Sequence, residues 1–320
     1  MAATVVNSIN ASETTAPRVA FLILAHNEPQ LLSRLLRKLV ADWCHCFVHI
    51  DRKVDIKQFQ DLSSVPHVTF LPMEQRLAVY WCGYSVTAAM LNLMRYAKTS
   101  AFQPTRFVLL SGVDYPIKPL NLIRTVVSQN KEYIQIDRQI QPRGDSSFDR
   151  CLNRRFLGNN RFLNPRTAPQ WIDRITRGIE RRMARSHPEG LKIYYGAQWW
   201  TLTDHGIEAV LSFVKSNPVV VRWFTGTKVP DEHMIHSIIK ASSRSSQVAF
   251  DATRTDEPPF GINRHALHYI DWTTANPHLP KTLELEDLNP LLESDALFAR
   301  KMSSSRSVKL LDALDAAFPD

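Results

Sequence analysis

Apolar and polar positions along this chain switch repeatedly between two spacings. Residues 19–25 form a continuous apolar run of strand length, as expected for a strand covered on both faces, and the run stops at His26-Asn27-Glu28-Pro29. Leu31, Leu32, Leu35, Leu36 and Leu39 then recur at helical spacing, and a second short apolar run, 46–50, stops at Asp51-Arg52-Lys53. A third strand is expected at 68–71. Residues 80–85 read as a loop entering a helix over 86–96, and a well-defined strand over 106–110 runs into Ser111-Gly112-Val113-Asp114-Tyr115-Pro116. Strand, helix, strand in this order predicts an α/β fold with a mixed, mostly parallel central sheet flanked by helices.

Further along, 133–136 reads as a strand and the aromatic run 192–203 as another. From Gly226 a helix start is expected, with Thr227 as cap, Pro230 in the first turn and Asp231 and Glu232 on the helix dipole. Met234, Ile235, Ile238 and Ile239 would bury its inner face. A short strand at 267–272, a turn at 277–280 and an amphipathic helix over 308–318 complete the pattern, and no stretch repeats.

The composition, 44% hydrophobic and 22% charged over 320 residues, is that of a globular chain able to bury a core. Its net charge of +8 is unevenly placed. Between residues 143 and 185 eleven Arg and no Lys face four acids (Asp145, Asp149, Asp173, Glu180), a local excess of +7. In that segment Trp171, Ile172, Ile175, Ile179 and Met183 make an apolar stripe beside Arg174, Arg177, Arg181, Arg182 and Arg185. An acidic acceptor, an anionic membrane surface and a plain solvated helix face all suit it. Nucleic acid is the weaker reading, because no recognised module and little aromatic interleaving accompany the arginines.

Cys44 and Cys46, one residue apart in a strand, are read as pointing to opposite faces and as a poor disulfide framework, so reduced thiols are expected. Residues 1–16 carry no basic, then apolar leader, and the run 19–25 is too short to span a bilayer. On this basis a cytoplasmic chain is expected, with peripheral contact at the inner face of a membrane.

Ligands of open α/β sheets sit beyond the carboxyl ends of the strands, and three such ends deliver His26, Asp51 and Asp114. Glu232 is a candidate general base; the alternatives are acids that merely satisfy a helix dipole, or a metal site of Glu232 with His233 and His236. Gln198 and Trp199 lie among aromatics of the kind on which sugar rings stack. Arg300 and Lys301 offer a fork and a point charge to a phosphate.

Taken in order, Ala25-His26-Asn27, His49-Ile50-Asp51, Trp81-Cys82-Gly83-Tyr84-Ser85, Leu110-Ser111-Gly112-Val113-Asp114-Tyr115-Pro116-Ile117, Gly196-Ala197-Gln198-Trp199, Pro230-Asp231-Glu232 and Leu297-Phe298-Ala299-Arg300-Lys301 resemble one family. It is the core-2/I-branching N-acetylglucosaminyltransferase and peptide O-xylosyltransferase family, and the resemblance covers roughly residues 19–302. It implies a GT-A-type nucleotide-binding fold, a UDP-sugar donor, a glycan or peptide hydroxyl as acceptor, and inversion at the anomeric carbon without a metal or other cofactor. It implies Glu232 as catalytic base and Arg300 with Lys301 at the diphosphate. Asp51 would reach the nucleotide, Asp114 would lie near the donor sugar, and Trp81, Gln198 and Trp199 would line the substrate site. The absence of any Asp-X-Asp agrees with a metal-free reading, since a divalent ion in such folds is held by that motif. The expected layout is a frayed tail to residue 17, one catalytic domain over 18–302 with a basic insertion at about 143–185, and a tail with a short helix over 303–320.

Overall fold

The computed structural model describes residues 17–142, 146, 149, 152–254, 263–273 and 279–318. The expected N-terminal tail, apart from its last residue, and the first half of the turn at 277–280 lie outside them, as do Arg143, Asp145 and Arg150 of the basic segment. The chain runs β1 (Val19–Ala25), α1 (Pro29–Lys38), β2 (Cys44–Ile50), β3 (Val68–Phe70), α2 (Tyr84–Lys98), β4 (Arg106–Ser111), β5 (Tyr115–Pro116), α3 (Leu120–Val127), β6 (Glu132–Ile136) and β7 (Arg138–Gln139). Then come α4 (Gln170–Glu180), β8 (Tyr194–Tyr195), β9 (Trp200–Thr203), α5 (Asp204–Ser216), α6 (Pro218–Thr225), α7 (Met234–Ala241) and β10 (Val248–Asp251). The last part holds β11 (Arg264–His265), β12 (His268–Ile270), α8 (Leu288–Glu293), β13 (Phe298–Arg300) and α9 (Val308–Ala317).

Seven strands form the main sheet in the order β10-β6-β9-β4-β1-β2-β3. β1 pairs in parallel with β2 and β4, so Ala25 lies beside Ile50 and Leu24 beside Ser111, and the polar ends of all three strands meet at one edge. β9 runs antiparallel between β4 and β6, which makes the sheet mixed, as expected. Both faces are covered because the strand residues are apolar on both sides. Val19, Phe21 and Ile23 join one apolar cluster with α1, α3 and α9, while Ala20 and Leu22 join another with α2, α5 and α7.

A smaller sheet, β11-β12-β13-β5, is welded to this edge. β13 pairs antiparallel with β5, which follows directly from the end of β4, and Met302 N–H donates to the Val113 carbonyl (2.9 Å). Residues almost two hundred positions apart are thereby set side by side at Asp114 and Arg300.

Four readings change. The aromatic run 192–203 is two strands: β8 pairs with β7 in a separate ribbon and β9 enters the main sheet. Gly196 forces the break, for a Cβ there would come within 1.7 Å of the Gln135 carbonyl oxygen. Thr227 is not a helix cap; it is buried behind α6, and its hydroxyl accepts from Arg185 Nη2 (3.0 Å). Pro230–Glu232 is instead a 3-10 turn entered through Val229 with φ 48°, and α7 begins after it. Cys44 and Cys46 share one face of β2, as residues two apart in a strand must, and both lie unpaired in the same apolar cluster. Finally, the segment after 302 is no loose tail: Leu310, Leu311 and Leu314 of α9 are core residues, and Asp315 accepts from Arg34 and from the Tyr115 hydroxyl.

Candidate functional site

At the end of β2 the backbone is locked from below by a buried arginine. Arg76 donates to the carbonyls of Ile50 (2.9 Å), Asp51 (3.1 Å) and Val54 (2.8 Å), so the turn after the strand has one shape. Asp51 sits in that turn, its Oδ1 accepting from Lys53 N–H (2.9 Å) and its Oδ2 lying 3.3 Å from Lys53 Nζ. His26, after β1, is exposed at the same edge.

Beyond β4, Asp114 is completely buried. Its carboxylate accepts from Ser111 N–H (2.7 Å) and Oγ (2.5 Å) and faces Arg300 Nε at 3.3 Å and His268 Nε2 at 3.5 Å. Burial opposes its charge, but the Arg300 guanidinium, with His268 and Ser111, holds its carboxyl below the ordinary range. Asp114, implied above to lie near the donor sugar, has no exposed surface, and its carboxylate faces Arg300. The guanidinium of Arg300 lies 4.1 Å over the ring of Trp199, which in turn stacks on His268 (5.1 Å between centroids). Trp199 is thus a buried platform under Arg300 rather than an open stacking surface.

Lys301 follows Arg300 and is half-buried. Burial, then Arg300, then Arg166 all lower its pKa. Arg166 comes from the basic segment and spreads its guanidinium 4.3 Å over Trp81. Asn164 Nδ2 donates to the Trp81 carbonyl (2.9 Å), and Asn159 Oδ1 accepts from Ser85 N–H (3.0 Å) where Gly83 leaves no room for a Cβ. These asparagines clamp the start of the basic segment onto the loop before α2.

Across that loop lies an acidic group. Val229 N–H donates to the Cys82 carbonyl (2.8 Å), and Gly196 N–H to the Glu232 carbonyl (3.1 Å), so two loops hold the 3-10 turn in place. Burial, then Asp231, then Asp137 push the Glu232 carboxyl up to about 8; burial raises that of Asp231 to about 6. Glu232 is half-buried, Asp231 buried with its Oδ1 unpartnered. Asp137 accepts from Gln135 Nε2 (2.8 Å), and its own carboxyl is raised by burial. Burial, then Asp231, raises the Cys82 thiol, with smaller effects of Glu232 and Arg166.

One ring nitrogen of His233 and one of His236 are taken by the backbone; the others, Nε2 of His233 and Nδ1 of His236, are buried without a partner. Each shares a hydrogen bond with a backbone carbonyl, Nδ1 of His233 with Val229 and Nε2 of His236 with Ala197 (both 2.8 Å), and burial lowers both far below neutrality. Among the described residues no three His, Cys, Asp or Glu are grouped to hold a metal ion.

The fold thus brings Asp51, Trp81, Arg300 and Lys301 to one edge, with the turn of Glu232 bonded to the Trp81–Cys82 loop through Val229 and Gln198 half-buried between Gly196 and Trp199. Asp137 was missed although its signal was present: β6 runs parallel to β4, and Asp137 is the polar residue after its carboxyl end. Arg76, His268 and Arg166 carry no local sequence signal at all.

The family model described as Core-2/I-Branching enzyme matches residues 19–292. Xylosyltransferase 2 of Rattus norvegicus is 22% identical over 310 residues, covering 93% of this chain and 33% of the relative; that of Homo sapiens is 23% identical over 312, with the same coverage. A protein of Sus scrofa named probable beta-1,3-galactosyl-O-glycosyl-glycoprotein beta-1,6-N-acetylglucosaminyltransferase 7 is 25% identical over 229 residues, 70% of this chain and 50% of the relative. The chain therefore spans about a third of the length of the xylosyltransferases it matches. With the greater part of its length matched by the family model, and with relatives named as glycosyltransferases, the chain belongs to the Core-2/I-Branching enzyme family of glycosyltransferases.

Proposed function

We propose that this chain is an inverting, metal-independent transferase of GT-A type that moves a sugar, N-acetylglucosamine, xylose or glucuronic acid, from a UDP-sugar to an acceptor hydroxyl. The observation that carries the reading is that the Trp81–Cys82 loop meets both the turn that bears Glu232, through the Val229 N–H on the Cys82 carbonyl, and the Arg166 guanidinium over the Trp81 ring. Glu232 takes the acceptor hydroxyl proton, the acceptor oxygen bonds to C1 of the sugar from the face opposite the diphosphate, and the C1–oxygen bond to UDP breaks with its electron pair. The charge that appears on the departing diphosphate is met by Lys301, Arg166 and Arg300, the last held in place by Asp114 and Trp199. Asp51, fixed by Arg76, faces the nucleotide. No cofactor is required by this scheme, because the cations that neutralise the leaving group are side chains.

A screen of UDP-sugars for UDP release, with and without a chelator, tests it. Release with one of these donors that persists under chelation is the expected result; activity that vanishes with chelator and returns with manganese or magnesium would overturn the metal-free scheme.

A further inference from the structure

The apolar stripe that the sequence sets beside the arginines of α4 faces solvent over most of its length. Thr176 is the buried position of the helix, while Trp171, Ile175 and Ile179 are 65%, 55% and 46% exposed. Three large apolar side chains at i, i+4 and i+8 form one stripe open to solvent, at a real cost for a helix whose inner side is held mainly by polar contacts. Glu180, on that inner side, accepts from Leu157 N–H (2.7 Å). Arg174, Arg177 and Arg181 flank the stripe and are exposed. In the loop leading into α4, Phe162 (63% exposed) carries the Arg161 guanidinium 4.5 Å over its ring and repeats the pairing of apolar surface with arginine.

The platform is firmly mounted. Asn164 ties its start to the Trp81 loop, and Arg185 ties its end to α6, donating to the Trp223 carbonyl (2.8 Å) with its guanidinium 3.7 Å over the Trp223 ring. A solvent-facing stripe with Trp at its leading end, ringed by arginines on a rigid mount, has the makeup of a helix that lies in the interfacial region of a bilayer. Charge selects among occupants: a second copy of this face would set arginine against arginine, whereas lipid phosphates complement the exposed Arg174, Arg181 and Arg182.

We propose that α4 is a peripheral docking element for an anionic lipid bilayer, with Trp171, Ile175 and Ile179 entering the headgroup boundary and Arg174 and Arg181 meeting lipid phosphates. Docking there would hold the catalytic edge at a fixed distance from the membrane, since the same segment carries Arg166 into that edge.

Co-sedimentation of the full chain with phosphatidylcholine vesicles, with and without about a third phosphatidylglycerol, tests the assignment. The chain should sediment with the anionic vesicles alone, and progressively less as salt rises. Trp171→Ser with Ile175→Ser should weaken that binding about tenfold or more. Arg174→Gln with Arg181→Gln should weaken it roughly twenty-five-fold, at about fivefold per arginine near a charged surface. Both pairs are solvent-exposed, so UDP binding and the thermal melt should be unchanged. Absence of binding to anionic vesicles, equal binding to neutral ones, or wild-type binding by both double variants would each overturn the proposal. So would a dimer, seen by sedimentation, that the Trp171→Ser and Ile175→Ser pair dissolves, since the stripe would then belong to a second copy.

Discussion

Glu232 is crowded by two other carboxyls, and that crowding governs its behaviour. With its carboxyl raised to about 8, the base form is scarce at neutral pH, so the transfer rate should climb with pH and level off above about 8. Asp137→Asn removes one of the like charges and should move that rising limb to lower pH without abolishing activity; a limb that stays in place would show that Asp137 does not set the titration. Glu232→Gln should cost about a hundredfold to ten-thousandfold in rate while UDP still binds. The same substitution should stabilise the fold. A carboxyl raised from 4.5 to about 8 binds its proton more tightly when folded, so its contribution is intact below about 4.5 and declines as pH rises to about 8. The variant should therefore melt at a higher temperature than the wild type at pH 8 and lose the decline across that window. A variant that turns over near the wild-type rate would make Glu232 only an acid in a turn.

At the scale of elements, two segments do work that their own residues do not announce. The crossing from β8 to β9 passes directly over the Gln135 carbonyl, and Gly196→Ala should push it off that strand, at a cost of about 2–4 kcal/mol seen as a lower melting temperature and poorer turnover. The basic segment divides by function. Arg166 stands over Trp81 near Lys301, so Arg166→Ala should weaken UDP binding about tenfold or more, as expected for losing a charge-assisted contact. Arg174 and Arg181, on the outer side of α4, should leave UDP binding unchanged when neutralised. Equal losses from Arg166 and from the outer pair, measured by calorimetry, would refute this division.

At the scale of the whole molecule, the C-terminal helix is part of the body that supports the site. α9 closes the apolar cluster beneath β1 and β13, and Asp315 joins Arg34 of α1 to Tyr115 of β5 through one carboxylate. Leu311→Ala should cost about 2–4 kcal/mol in urea unfolding, as for a large-to-small change at a fully packed position, with the choice of donor sugar unaltered. A loss below about half a kcal/mol would mean that the helix is dispensable to the core. Among the described residues no helix is long and apolar enough to cross a membrane.

Much of this was legible in one dimension. The apolar runs of β1, β2 and β4 and the leucines of α1 follow local periodicity, because a residue's burial in a strand or helix repeats with the backbone's own geometry. The polar residues after those strands could be named as a site for the same reason, and the order of short motifs identified the family before any contact was known. Contacts between distant segments had no such signature. Which face of α4 turns inward, the break at Gly196, the role of Asp114 under Arg300 and the reach of Arg166 to Trp81 all depend on what another part of the chain places opposite them. Local spacing determines which side chains can share a face of one element; only packing between elements decides whether that face meets core, ligand or water.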